Sequence, residues 1–264
     1  MQVVGSLSAV VSPDLPSRLA MGGSYAVPSG TLWARNRTSD AAAVKVRLAH
    51  VDQGFLNDCF LNAVMGALAL QQPQRIERMV RDRGDHIDVS LPGRTVHLGR
   101  ELPMVNGRPI FSGHGGNNVL WSSYIEKAVA ATMRDGYGQL DRGGDVREAF
   151  EWLLGNRPRQ TTTPGGSILG DIRDRLRAGE AVVVGTYRTP TTSRRGREMA
   201  ELGVHADHAY VATSVYSRGG TTYLRLWNIW GYEHPKVLTE DQVRRLVSEV
   251  VSDASWYYIP DALD

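Results

Sequence analysis

Gln53-Gly54-Phe55-Leu56-Asn57-Asp58-Cys59 ends on the chain's only cysteine and runs straight into the apolar stretch Phe60–Leu70. That stretch is long enough for about three helical turns and is apolar on every face, interrupted only by Asn62 and Gly66. It predicts a buried central helix that starts at Cys59, with Asp58 as N-cap and Pro73 setting its end. A thiol at the first helical position lies where the helix dipole favours thiolate. A lone cysteine excludes an internal disulfide and an ordinary structural zinc site, which leaves buried packing or nucleophilic chemistry. By itself the cysteine favours packing, because free cysteine is among the most buried residue types.

The remainder of the chain reverses that preference. Among its seven histidines, His208 opens the β-rich run His208–Tyr216, and a second run, Thr222–Asn228, follows after Ser217-Arg218-Gly219-Gly220. A hairpin folded about Arg218 sets His208 opposite Asn228, on the same face, with Cβ atoms ~5 Å apart. The asparagine amide oxygen would accept from one imidazole nitrogen and leave the other for a thiol, a Cys-His-Asn arrangement. A register error of one residue would place the two on opposite faces. Trp230 could cover the His–Asn bond and exclude water. Gln53 could supply one oxyanion donor beside the backbone N–H of Cys59, and Gly54 would let that loop approach a substrate.

Around these residues the outline is α+β. Further helices are predicted near 120–133, 146–154 and 168–178, and a hairpin over 86–100 turning at Pro92-Gly93. Strands are predicted at 181–187, 208–216 and 222–228. Residues 1–44 read as an extended arm with one short strand, 45–157 as a mainly helical lobe with the nucleophile, and 158–264 as a β-rich lobe with His and Asn. The cleft would lie between the lobes. Arg188–Met199, with Arg194-Arg195-Gly196-Arg197, reads as a mobile loop.

With 264 residues, 22% of them charged, and a net charge of +2, the chain shows no electrostatic bias toward nucleic acid. No apolar run reaches the ~18 residues of a membrane span, and the N-terminus is a poor signal peptide. The expectation is a cytoplasmic protein or one delivered by a non-classical route. Nearly all the positive charge is arginine, with lysine only at 45, 127 and 236, a skew that suggests a GC-rich bacterial genome.

These motifs together resemble the calpain family of papain-like cysteine proteases. Gln53-Gly-Phe-Leu-Asn-Asp-Cys59-Phe-Leu is similar to its Gln-Gly-x-x-Gly-Asp-Cys-Trp-Leu motif, and Trp121-Ser-Ser-Tyr-Ile-Glu-Lys127-Ala to its Trp-x-x-x-x-Glu-Lys-Ala helix. Gly143-Gly144 through Trp152, His208-Ala209-Tyr210 and Trp227-Asn228-Ile229-Trp230-Gly231 resemble further family segments in the same order. The resemblance implies a papain-like two-lobed core and an endopeptidase acting on proteins or peptides. It also implies Cys59 as nucleophile, His208 as base and acid, Asn228 as orienter and Gln53 as oxyanion donor, with Gly54 and Asp207 bordering the cleft. The departures are Asn57 and Asp207 where the family has glycine, Phe60 for Trp, and Ile229 for Pro. Calcium is implied by the family, yet its acidic position three residues before the glutamine is His50 here, with Asp52 nearby. No metal ligand set is assigned, since His205-x-x-His208 lacks a third member. His205 is the rival for the base. The rival functions are a glutamine deamidase or transamidase, as in a bacterial effector, and a non-catalytic binding module.

Overall fold

The computed structural model describes residues 10–15, 24–33, 46–113, 118–162 and 166–253. Much of the predicted arm at 1–44 lies outside these, but its short strand is there as β1 (Ser24–Ala26). A single 3-10 turn at Leu48–His50 leads to α1 (Cys59–Gln71), whose residues Phe60–Ala69 are all buried. Each of Leu61, Val64, Met65 and Leu68 is fully buried, and such burial contributes roughly 1.5–3 kcal/mol per side chain. Pro73 ends this helix as predicted and also begins α2 (Pro73–Met79), the first-turn position where its missing N–H costs nothing.

The amino-terminal half contains more strand than its sequence suggests. Beside α3 (Trp121–Ala131), α4 (Gly136–Leu140) and α5 (Val146–Leu154) lie β2 (Val80–Asp82), β3 (His86–Leu91), β4 (Arg94–Gly99), β5 (Leu102–Val105) and β6 (Arg108–Pro109). They form two small sheets, β2-β3-β4 and β1-β5-β6. The β3–β4 hairpin turns at Pro92-Gly93, with Leu91 paired to Arg94. Short two- to four-residue strands carry too little alternation to be read from sequence.

The carboxy-terminal half holds β7 (Arg159–Thr161), α6 (Ile168–Arg177), β8 (Val182–Thr186), α7 (Arg194–Leu202), β9 (Ala209–Arg218), β10 (Thr221–Asn228), β11 (Leu238–Thr239), α8 (Glu240–Leu246) and β12 (Val247–Ser252). Its sheet runs β11-β10-β9-β8-β12-β7 and is antiparallel throughout. One apolar cluster centres on α1, α3 and α5, and takes in Val183 and Val211 from the sheet and Ile229 just after β10. A second lies on the sheet's other face, against α6 and α8. At Gly66 of α1, an added Cβ would meet Leu48 Cδ1 at 2.9 Å and Val211 Cγ2 at 3.0 Å. The glycine therefore lets α1 dock closely on β9, the strand that follows His208.

The predicted mobile loop at Arg188–Met199 is loop only up to Ser193; its second half, from Arg194, belongs to helix α7. Ser193 caps it by accepting from the Gly196 N–H, and Gly203 closes it with φ 68°. Arg245 of α8 holds Glu198 at 2.6 Å. Only Gly196 and Met199 are buried along α7, so it has almost no apolar stripe for a sequence pattern to show.

Candidate active site

Hairpin register decides whether His208 and Asn228 can meet. The turn is Gly219-Gly220, not Arg218, since Arg218 pairs with Thr221. Continued regularly, that register would place Asn228 opposite Val211 and put His208 on the wrong face. A bulge intervenes: Arg225 pairs with Ser214, but Leu226 pairs with Ala212, leaving Thr213 as the extra residue. Asn228 then lies opposite Tyr210, and His208, two residues away on the same face, is its diagonal neighbour. The expected contact exists by a different register from the predicted one.

His208 Nε2 lies 2.9 Å from Asn228 Oδ1. The amide's orientation follows from its other partners. Trp230 N–H, which can only donate, lies 3.2 Å from Oδ1, and Glu233 C=O, which can only accept, lies 3.3 Å from Nδ2. Nε2 must therefore carry the hydrogen, which leaves Nδ1 as the basic nitrogen. The Trp230 ring lies 4.7 Å from the His208 ring, and the Tyr210 ring meets it edge-on at 4.8 Å. Burial lowers the His208 pKa to about 4; the Asn228 bond raises it and nearby His205 lowers it further.

The backbone before His208 is held as firmly as its ring. Thr186 Oγ1 donates to His205 C=O at 2.8 Å and accepts from His208 N–H at 3.1 Å. Asp207 sits in the left-handed region at φ 54°, which explains glycine at that position in the resembling family, and aspartate is among the residues that tolerate it. Its carboxylate faces Arg188 at 3.7 Å. His205 points elsewhere, with Nε2 at 3.3 Å from Glu233 and its ring 4.4 Å from Trp230.

Cys59 begins α1 and meets this wall directly, because the Ala209 N–H hydrogen-bonds its sulfur. Burial pushes the thiol up to about 11, outweighing the Ala209 and Phe60 N–H bonds, while Asp58 and Asp207 raise it further. The helix-dipole expectation of a resting thiolate thus gives way to desolvation. Burial therefore favours the neutral thiol and the neutral imidazole, and both residues line the same cleft.

Asp58 occupies the N-cap position without capping: its side chain accepts no helix N–H. It turns inward to the buried carboxyl of Glu126, which also accepts from Ser112 N–H at 3.1 Å. Two buried carboxyls can bond only if they share a proton. Burial raises Asp58 to about 6 and Glu126 well above its usual value. The pair thus holds protons that the unfolded chain releases, so its stabilisation is full below about pH 4 and declines as pH rises through 6. Glu126→Gln keeps the hydrogen bond and removes one of the two titrating carboxyls. Its melting temperature should fall less than wild type's between about pH 5 and 8, by roughly 2–4 °C, in thermal unfolding followed by circular dichroism.

The loop before Cys59 is tied down by contacts its sequence does not advertise. Trp230 Nε1–H donates to Gln53 Oε1 at 3.0 Å, and Gln53 N–H to Ile229 C=O at 2.8 Å. Since the indole only donates, Gln53 must present its Nε2–H end, one hydrogen of which goes to Leu56 C=O at 2.5 Å. Gly54 lines the cleft, but its lack of a side chain serves packing, because a Cβ would lie 2.2 Å from Ile110 C=O. Asn57 needs no glycine freedom, and its amide reaches Asp141 C=O at 3.1 Å. Trp121 Nε1–H donates to His50 Nδ1 at 3.3 Å, and Lys127 donates to the Gly99 and Glu101 carbonyls at 2.8 and 2.6 Å. Trp121, Glu126 and Lys127 of α3 therefore brace the cysteine loop and its surroundings.

Gln53, Gly54, Cys59, Asp207, His208 and Trp230 all line one cleft of about 1140 Å³, with Asn228 buried behind His208. Residues 17–237 match the family model described as calpain family cysteine protease. The chain belongs to the calpain family. Calpain-13 of Rattus norvegicus is 26% identical over 205 residues, covering 69% of this chain and 29% of that protein. Calpain-9 of the same organism is 26% identical over 215 residues, covering 68% and 28%. The chain thus spans less than a third of the length of the curated calpains it matches. Its α+β architecture agrees with a calpain-type, papain-like core. Among the described residues, no helix is long and apolar enough to cross a membrane.

Sequence reasoning gave no role to Thr186, Tyr210 or Glu126 and missed the Trp230–Gln53 bond. Tyr210 and Glu126 left a signal, since both stand in the motifs that carry the resemblance, and Tyr210 is two residues from His208 and so on its face.

Proposed function

We propose that this calpain-family chain is an endopeptidase that cleaves protein substrates through Cys59, His208 and Asn228. The observation that carries the reading is the oriented Asn228 amide, which leaves His208 Nδ1 as the basic nitrogen in the cleft that Cys59 also lines. As the sulfur attacks the scissile carbonyl carbon, its proton passes to His208 Nδ1. The Cys59 N–H and a Gln53 Nε2–H would receive the developing oxyanion. Collapse breaks the C–N bond, and the amine leaves with the proton from His208. Water then attacks the thioester carbonyl as His208 takes its proton; the C–S bond breaks, the carboxylic acid product leaves, and the proton on His208 passes to the sulfur to regenerate the thiol. Neutral reactants suit this sequence, since the proton moves within the pair.

The lobes at 45–157 and 158–264, with an arm at 1–44, belong to this reading; the second apolar cluster lies wholly in the later lobe, while the first is shared, taking in Val183, Val211 and Ile229. The chemistry requires no cofactor. The turn at 50–52 is a poor fit to a calcium loop, because His50 Nδ1 accepts from Arg47 N–H at 3.1 Å and burial lowers its pKa. Calcium takes oxygen ligands, and a neutral imidazole offers none.

The deciding experiment incubates the full chain with casein and follows the products by mass spectrometry, alongside labelling by a peptidyl thiol-directed inhibitor. Fragments, with the label on the Cys59 peptide, are expected. Intact casein carrying deamidated glutamines would assign the deamidase instead. Absence of both reaction and label would leave only a binding module.

A further inference from the structure

Outside the cleft, one face of the β3–β4 hairpin gathers His86, Asp88 and His97. Asp88 and His97 are directly paired across the strands, and His86 lies two residues from Asp88 on β3, so all three side chains share that face. We infer that these three residues form a zinc-type divalent metal site clipping the hairpin together. Their ligand atoms all lie within 4.8 Å of one another. Asp88 Oδ1 is 3.2 Å from His86 Nε2 and 2.6 Å from His97 Nδ1. Ligands of a tetrahedral zinc with bonds near 2.0 Å stand ~3.3 Å apart, so small side-chain rotations would admit the ion.

The groups behind the ligands are also those of a metal site. His86 directs Nε2 inward while Nδ1 meets Asp85 Oδ1 at 2.6 Å, the carboxylate–histidine arrangement that fixes a ligand's tautomer. Asp88 is 6% exposed, and its second oxygen accepts from Arg83 Nε at 2.7 Å, which aims the first at the histidines. Two imidazoles and one carboxylate suit zinc, cobalt or nickel, whereas calcium and magnesium require oxygen. A fourth position remains for water. The Arg83 charge beside the site weakens attraction for a cation, so micromolar rather than nanomolar affinity is expected. The alternative use of the same residues is a metal-free hydrogen-bonded network, in which Asp88 bridges the two rings.

Isothermal titration of zinc chloride into the full chain distinguishes these, performed on a Cys59→Ala background because the cleft thiol and imidazole also attract zinc. One ion per chain is expected, with a rise in melting temperature that magnesium and calcium do not reproduce. His97→Ala and His86→Gln should each weaken binding at least about tenfold, and Asp85→Asn about tenfold or more. Binding of cobalt(II), read by its visible absorption, gives the same comparison independently of unfolding. Circular dichroism confirms that each variant is folded. Substoichiometric zinc, or affinity unchanged in both folded histidine variants, would overturn the site. An equal thermal shift with calcium would do the same.

Discussion

Cys59→Ala and His208→Ala should each lower peptide hydrolysis about 10⁴-fold, and the double variant should be little worse than either. The two residues carry out one proton-coupled step, so removing either removes that step. His208 is placed for this by three separate constraints: the Asn228 bond, the ring contacts with Trp230 and Tyr210, and Thr186 on its backbone. The alanine at 59 leaves α1 intact, because the buried apolar positions begin at Phe60. Steady-state kinetics on a fluorogenic peptide, with melting temperatures as controls, makes the comparison. Losses that multiplied in the double variant would show the residues acting independently, and the proposed mechanism would fall.

The bulge at Thr213 leads to a second large effect. Inserting one alanine between Ala209 and Tyr210, with the remaining ladder unchanged, moves His208 to the face away from Asn228. Activity should then fall as far as in His208→Ala, about 10⁴-fold. Deleting Thr213 should be tolerated within roughly tenfold, because Ser214↔Arg225 and Ala212↔Leu226 become consecutive pairs and no flanking register changes. Kinetics on both variants, each shown to be folded by circular dichroism, gives the answer. A folded insertion variant with near wild-type activity would mean that the His208–Asn228 alignment is not what supports catalysis.

The contrast between these variants shows how far sequence reading reaches. The all-apolar run after Cys59 specified a buried helix, and the spacing of β-rich runs around Ser217–Gly220 specified a hairpin, because both patterns are local. Counting residues from an assumed turn at Arg218 brought His208 to Asn228 by two offsetting differences. The turn centre lies further along the chain, and the bulge restores the parity that this shift would have reversed. A bulge depends on how both strands twist and pack, and Thr213 looks ordinary in sequence. Helix α7 was hidden for a related reason: its polar, arginine-rich face lacks the apolar stripe that marks a helix, and capping plus contacts to α8 form it.

Sequence by itself determined which groups are available: a single thiol, an imidazole at a strand start, an amide at a strand end, and a glutamine upstream, in calpain order. It also determined the main helices and the long hairpins, since hydrophobic periodicity and turn residues act over a few neighbours. Tertiary structure alone decided what those groups are when they meet. Burial holds Cys59 as thiol and His208 as neutral imidazole, against the helix dipole. The folded turn just after β10 orients the Asn228 amide, Trp230, distant in sequence, orients that of Gln53, and Glu126 draws Asp58 away from its capping role. Desolvation and hydrogen-bond geometry depend on everything packed around a side chain, and no short stretch of chain contains that information.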